Sequence, residues 1–133
     1  MISAAELRIL QQSYVVASQK AKEDRFRNAC EKYFDILVTE GQRGIEMSKS
    51  SSRTSYILSP ERISQKVDGY QYSTLLYGLW NRTTRQFDSE IFAKNEVEKP
   101  FDRAVTYFAN FGYKLENISD SSKSFSLFIK LSW

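Results

Sequence analysis

Acidic side chains between positions 88 and 102 are the groups of this sequence that could most readily do acid–base chemistry. They are Asp88, Glu90, Glu96, Glu98 and Asp102. Two carboxylates can act as general acid and general base when a fold holds both within reach of one substrate. Acidic residues around a helix start are more commonly exposed side chains that interact favourably with the helix dipole. We favour the second interpretation, and we expect a protein without catalytic residues.

Other reactive groups are scarce. The chain has no histidine and a single cysteine, Cys30, which removes the commonest general base and any zinc site made of several thiolates. Neither GxxxxGK[ST] nor GxGxxG occurs, so no phosphate-binding loop is indicated. We therefore expect no metal and no cofactor. A lone cysteine cannot form an intrachain disulfide, which favours synthesis in a reducing cytoplasm.

Composition predicts one folded domain over residues 1–133. Hydrophobic residues make up 41% of the chain and charged residues 26%, a balance typical of neither a disordered nor a membrane protein. The longest apolar runs fall far short of the ~20 residues of a membrane span. The first residues lack the basic start and apolar core of a secretory signal. We expect no membrane association.

One long helix is predicted from residue 3 to about 47, with Ser3 and Glu6 at the spacing of a capping box. Its apolar pattern changes phase. A first stripe steps by three and four residues, and a second begins about 140° around the helix at 100° per residue. The first stripe is Leu7, Leu10, Tyr14, Ala17 and Ala21; the second is Phe26, Ala29, Cys30, Tyr33, Ile36 and Leu37.

The phase change leaves two alternatives. Either the helix is curved, kinked or broken near residues 20–25, or its first part projects as a docking arm over residues 1–25. In the second case, we expect the arm to bind other protein subunits in a homo- or hetero-oligomer. The predicted partner-binding residues are Leu7, Leu10, Tyr14 and Ala17. A two-heptad seam with alanine at two positions is weak as an isolated coiled coil, because short helices are marginal without tertiary support, so we expect a docking arm and not a self-sufficient zipper.

Shorter elements are predicted after this helix, whose end Gly41 and Gly44 are expected to loosen. Residues 54–59 form a strand. Ser59-Pro60 starts a helix that carries Ile63 and Val67 inward and ends at Asp68-Gly69. Residues 70–81 are predicted as a helix in preference to a strand, with Tyr72, Leu75, Leu76, Leu79 and Trp80 on one face. A loop and a short helix with Phe87, Ile91 and Phe92 follow.

The pattern of the last third of the sequence predicts a helix over 100–111, a turn at Gly112 and a strand over 113–119. A turn at 120–123 and a returning strand to the end of the chain follow. Alternation places Phe125, Leu127, Ile129, Leu131 and Trp133 on one buried face. We expect Phe101, Val105 or Phe108 to cover the Trp133 indole, and the 54–59 strand to join the sheet. The predicted fold is α+β: a long N-terminal helix plus shorter helices packed on a small antiparallel sheet with a C-terminal β-hairpin.

Basic residues are concentrated in the middle of the chain, where residues 42–85 carry seven basic and three acidic side chains. Tyrosines and Trp80 are interleaved with them, a combination that suits nucleic-acid backbones and unstacked bases. The predicted contacts are Arg53, Arg62, Arg82 and Arg85. Aromatic residues are 14% of the chain. They indicate either interaction surfaces or a core whose tyrosine hydroxyls reach the surface.

The segments "KPFDRAVTYFANFGYKLENI" and "FIKLSW" together resemble the C-terminal part of small proteins of tailed bacteriophages. The shared layout is an aromatic-rich helix, a Gly-Tyr turn and a hairpin ending in Trp. This resemblance implies a phage-encoded virion component or accessory protein and transfers no functional residue. Two hypotheses remain: a structural assembly protein, or a small nucleic-acid-binding or regulatory protein that uses residues 42–85.

Overall fold

A computed structural model describes residues 1–119 and 127–133, apart from the side chain of Glu23. The predicted turn at 120–123 and the predicted inward position of Phe125 lie outside these residues. The chain has the predicted α+β fold, with a long helix, shorter helices and small antiparallel sheets. The elements are α1 (Ala4–Ser48), β1 (Ser55–Ile57), α2 (Pro60–Ile63), α3 (Tyr72–Tyr77), β2 (Leu79–Asn81), β3 (Gln86–Asp88), α4 (Glu90–Lys94), α5 (Pro100–Ala109), β4 (Lys114–Asn117) and β5 (Ile129–Ser132).

Helix α1 starts as predicted. The Ser3 hydroxyl oxygen accepts a hydrogen bond from the backbone N–H of Glu6 at 3.2 Å, which satisfies one of the free donors of the first turn. The helix then continues without interruption to Ser48. The alternative of a break near residues 20–25 is therefore wrong, and the phase change occurs within a single helix.

The second half of α1 forms one wall of the hydrophobic core. Phe26 is its first buried side chain, and the buried positions recur every three or four residues, as on one face of a helix. Those predicted and found buried are Phe26, Ala29, Cys30, Tyr33 and Leu37, while Ile36 is half-buried.

Two glycines allow other elements to approach α1 closely. A β-carbon on Gly41 would lie 2.3 Å from Cζ of Phe108, and one on Gly44 would lie 2.0 Å from Cδ1 of Tyr56. Both glycines are buried, and the helix continues past them to Ser48. Both glycines are packing sites for α5 and β1, and their expected loosening of the helix end stays a prediction.

Strand β5 lies at the centre of a three-stranded antiparallel sheet ordered β1-β5-β4. Leu131 pairs with Tyr56 on one side and with Leu115 on the other. Leu127, Ile129 and Leu131 are buried as predicted, and β1 joins the sheet as expected. The inward face of this central strand packs on the core, which explains why its inward positions are strongly apolar.

Trp133 departs from the prediction. Its side chain is 42% exposed, and its indole packs edge-on against Tyr113 with ring centroids 5.9 Å apart. Phe108, one of the expected cover residues, lies instead against Gly41 of α1. Trp133 follows the last residue of β5, where its N–H donates to the carbonyl of Thr54. The indole therefore lies at the margin of the sheet rather than beneath α5.

The middle of the chain contains a hairpin that the sequence pattern did not predict. Gly78, with φ of +106°, ends α3, and β2 follows directly and pairs with β3. A β-carbon at Gly78 would meet the carbonyl oxygen of Asp88 at 2.0 Å, so only glycine fits here. The prediction of one helix over 70–81 is therefore wrong beyond Tyr77. Leu79 and Trp80 are each 53% exposed, not inward-facing.

Helix α2 is also shorter than predicted, because it ends at Ile63. Ile63 and Val67 are both buried as expected. Val67 pairs with Tyr70 in an isolated bridge, and Asp68-Gly69 form the tight turn between them. These two residues close a turn rather than end a helix.

Candidate interaction surfaces

The first part of α1 extends away from the core. We call residues Ala4–Lys22 the arm. All of its side chains are exposed except that of Ser18, which is half-buried. Its large apolar residues and their exposed fractions are Leu7 45%, Ile9 63%, Leu10 57%, Tyr14 74%, Val15 54% and Val16 66%. Contiguous exposed apolar surface of this kind is typical of a binding surface.

Apolar residues on the arm form two stripes. The first, which we call the seam, is the predicted one: Leu7, Leu10, Tyr14, Ala17 and Ala21. The second, the side stripe, consists of Ile9 and Val16 on the arm and Ile2 just before it, and lies about 120° around the helix. Sequence reasoning missed the side stripe, although its seven-residue spacing could have indicated it. Glu6, Ser13 and Lys20 lie between the stripes.

Just beyond the arm, polar contacts fix α1 to the rest of the chain. The Arg25 guanidinium donates to the carbonyl oxygen of Asp68 at 2.6 and 2.9 Å and lies 5.6 Å from the centre of the Tyr70 ring. Lys32 forms an ion pair with the Asp68 carboxylate at 2.9 Å. Arg27 donates to the carbonyl of Asn95. The predicted arm of residues 1–25 thus contains the exposed stretch and the first of these anchors.

The β2–β3 hairpin exposes aromatic and basic side chains. Trp80 and Phe87 pair directly across it with ring centroids 5.0 Å apart, and Tyr77 contacts Phe87 at the same distance. Arg82 and Arg85 lie in the exposed turn between the strands. An isolated two-stranded hairpin is marginally stable, so these cross-strand aromatic contacts support it.

The four arginines predicted to contact nucleic acid lie on separate elements. Arg82 and Arg85 share the hairpin turn, and Arg53 lies in the exposed loop before β1. Arg62, on α2, faces the carboxylate of Glu40 at 3.8 Å. The hairpin therefore brings together two of the four, in the turn between the strands that carry Trp80 and Phe87.

Glu40 is a buried charged residue that sequence reasoning missed. The residue is only 3% exposed. Its Oε1 accepts hydrogen bonds from the Tyr56 hydroxyl at 2.8 Å and from the Ser59 N–H at 3.2 Å. Burial and the bond to Glu40 raise the pKa of Tyr56 above its ordinary value. Glu40 continues the three-and-four spacing of the buried face of α1, a signal that could have identified it, and it anchors β1 and α2.

The side chains with catalytic potential are a buried thiol and a set of exposed carboxylates. Burial, followed by the charge of Glu31, raises the pKa of the Cys30 thiol to about 12, so the thiol stays neutral and unreactive at neutral pH. The five acidic residues of the 88–102 region are exposed. Within residues 1–119 and 127–133, no cluster of three or more His, Cys, Asp or Glu side chains could hold a metal ion. No described helix is long and apolar enough to cross a membrane.

Most tyrosine hydroxyls with described contacts serve the fold. Tyr33 is fully buried and donates to the carbonyl of Ile63. Tyr77 accepts from Asn117, and Tyr107 accepts from Gln42. Tyr14 is different, because it lies on the arm and is 74% exposed. The aromatic content therefore mainly supplies the core, while the arm and the hairpin present aromatic surface.

Comparison of the chain with protein-family models, with curated proteins and with solved structures found no match.

Proposed function

We propose that this protein is a non-enzymatic structural or assembly protein that docks on other protein subunits through its arm and its exposed aromatic surfaces. The observation that carries the proposal is the arm, a helix whose apolar side chains are exposed while the same helix continues into the core. The assembly we favour is a bacteriophage particle, and this choice rests on the C-terminal resemblance alone.

The energetics of the arm support a partner. Burying a leucine or valine side chain contributes roughly 1.5–3 kcal/mol, so the exposed residues of the arm represent substantial unused binding energy. Helix formation usually has a costly nucleation step, but the arm extends a helix whose second half is already fixed by the core. A partner would thus meet a preformed helix, which lowers the ordering cost of binding.

Two aspartates in the seam test this proposal. Leu7→Asp with Leu10→Asp should reduce the mass of the assembly in size-exclusion chromatography with light scattering. The free energy of unfolding of the monomer should change by no more than about 0.5 kcal/mol, as for ordinary surface substitutions. The matched control is Gln12→Asp with Gln19→Asp, which adds the same charge on the side of the arm opposite the seam. If the double variant unfolds as a monomer, the seam belongs to the core and the proposal fails.

A second candidate function is nucleic-acid binding or regulation by the basic 42–85 segment. The specific observation in its favour is the hairpin, which carries Arg82 and Arg85 in its turn and the exposed Trp80 and Phe87 rings on its strands. Arginines of this kind contact phosphates, and bases stack on such rings. Arg53 lies in a separate exposed loop before β1, whereas the contact of Arg62 with Glu40 would compete with a phosphate.

Salt dependence tests the second function. Charge reversal of Arg82 and Arg85 should lower the slope of log affinity against log salt by about 2, near one unit per lost phosphate contact. Reversal of Arg8 and Lys22 on the arm makes the same change in net charge and should leave the slope of hairpin binding nearly unaltered. Absence of binding to single-stranded DNA, double-stranded DNA and RNA at low salt would eliminate this candidate.

A further inference from the structure

We infer that the subunit bound by the arm is a second copy of this chain, packed antiparallel along the seam. The inference rests on the proposed function, because it names the partner of the same surface. It is carried by the spacing of the seam residues, by the charges beside them and by the place where the arm joins the core.

Seam spacing fits an antiparallel pair of arms. Steps of three and four residues define alternating a and d positions of a heptad, and in an antiparallel pair each a residue faces a d residue. Leu7 then faces Ala17 of the second copy, and Leu10 faces Tyr14. A large side chain opposite a small one lets the helices approach, while the layer of Leu10 and Tyr14 fills the middle of the seam.

Charges beside the seam distinguish the two orientations. Glu6 and Lys20 occupy the same heptad position, g, and both are exposed. In the antiparallel register, Glu6 of each copy lies beside Lys20 of the other, and opposite charges attract. In a parallel pair, Lys20 would instead lie beside Arg25 of the second copy, where like charges repel. The charge pattern therefore favours the antiparallel orientation.

The antiparallel register also leaves room for the folded cores. It overlaps the two helices from Ser3 to Ala21, and Ser3 faces Ala21 of the second copy. The first core side chain, Phe26, follows beyond this overlap. Each core thus lies past the start of its partner helix. The side stripe of Ile2, Ile9 and Val16 stays outside the seam, on the outer surface of the pair.

Charge reversal and its rescue test the inference. Glu6 and Lys20 are about 21 Å apart along one helix, well beyond the ~8 Å screening length at physiological salt, so they interact little within one chain. Glu6→Lys and Lys20→Glu should each weaken dimerisation about tenfold, equivalent to about 1.4 kcal/mol, in sedimentation equilibrium. An equimolar mixture of the two variants should recover a dimer within about threefold of the wild-type Kd, and so should the double variant.

Lys22→Glu, a reversal away from the seam, should change the Kd less than about threefold, and circular dichroism checks that every variant remains helical. Tighter dimers for Lys20→Glu would indicate the parallel orientation and overturn the inference. So would a failure of the mixture to recover binding, or a wild-type chain that stays monomeric up to about 1 mM. Failure of the proposed function would give a different result, because the monomeric Leu7→Asp/Leu10→Asp variant would then be unfolded.

Discussion

Replacing Gly41 by alanine separates two opposing effects on the stability of α1. Alanine is favoured over glycine inside a helix by about 1 kcal/mol. The added methyl group would, however, lie 2.3 Å from Cζ and 3.0 and 3.1 Å from the two Cε atoms of Phe108. Ordinary carbon–carbon contacts are about 3.5–4.0 Å. The Phe108 ring has little freedom to withdraw, because it is 1% exposed and packs edge-on against Tyr107 and Tyr113.

Overpacking of a dense core costs about 1–3 kcal/mol, and the contact at Gly41 places it near the upper end. We therefore expect Gly41→Ala to lower the free energy of unfolding by about 1–2 kcal/mol after the helix-propensity gain is included. Urea unfolding followed by circular dichroism measures this change. In a Phe108→Leu background, the same substitution should be neutral or stabilising, because the ring that it strikes is gone. If Gly41→Ala stabilises the wild-type chain by about 1 kcal/mol, the close approach of α5 to α1 does not exist.

Three further predictions concern the core and its margin. Glu40→Ala should lower the free energy of unfolding in urea by about 3 kcal/mol, because the Tyr56 hydroxyl and a backbone N–H lose their buried acceptor. A decrease below about 1 kcal/mol would contradict the anchoring role. Because the pKa of Cys30 is raised from 9.0 to about 12 in the folded chain, stability should fall as pH rises above 9, by up to about 1.4 kcal/mol per pH unit. Cys30→Ala should flatten the pH 9–10 part of this curve, and an unchanged slope would argue against a buried thiol. Trp133→Ala should cost only about 1 kcal/mol, the contribution of its contact with Tyr113; a loss of 3–5 kcal/mol would indicate a buried indole.

Elements with strong local signals could be predicted from the sequence. Ser3 marks the start of α1, Pro100 the start of α5, and alternating apolar residues mark the inward face of β5. The signal in β5 is an apolar alternation that repeats over several residues. At Ser3 and Pro100 the signal is a residue type that favours the backbone conformation of a helix start. The exposed seam could also be anticipated, because its phase differs from that of the buried face beginning at Phe26.

Features that depend on distant contacts could not be predicted in this way. The β2–β3 hairpin is exposed along both strands, so it lacks the alternation that reveals a half-buried strand, and the apolar pattern of α3 continues through Gly78. Burial of Glu40 depends on donors supplied by β1 and the start of α2. Alternation along β5 predicts the face on which Trp133 lies. The point at which α5 stops covering that face depends on how α5 packs against α1.

Because α1 is continuous, a small bend at the base of the arm produces a large displacement at its tip. The helix has 45 residues, about 67 Å at 1.5 Å per residue, and the arm is nearly 30 Å of that length. A bend of about 10° where the arm leaves the core would move its tip by about 5 Å, by the geometry of a rod of that length. Long helices commonly curve gently. Under the proposed docking role, the stiffness of a few turns near Lys22 would set the placement of the bound subunit, and a single glycine or proline substitution there would redirect it without altering either contact surface.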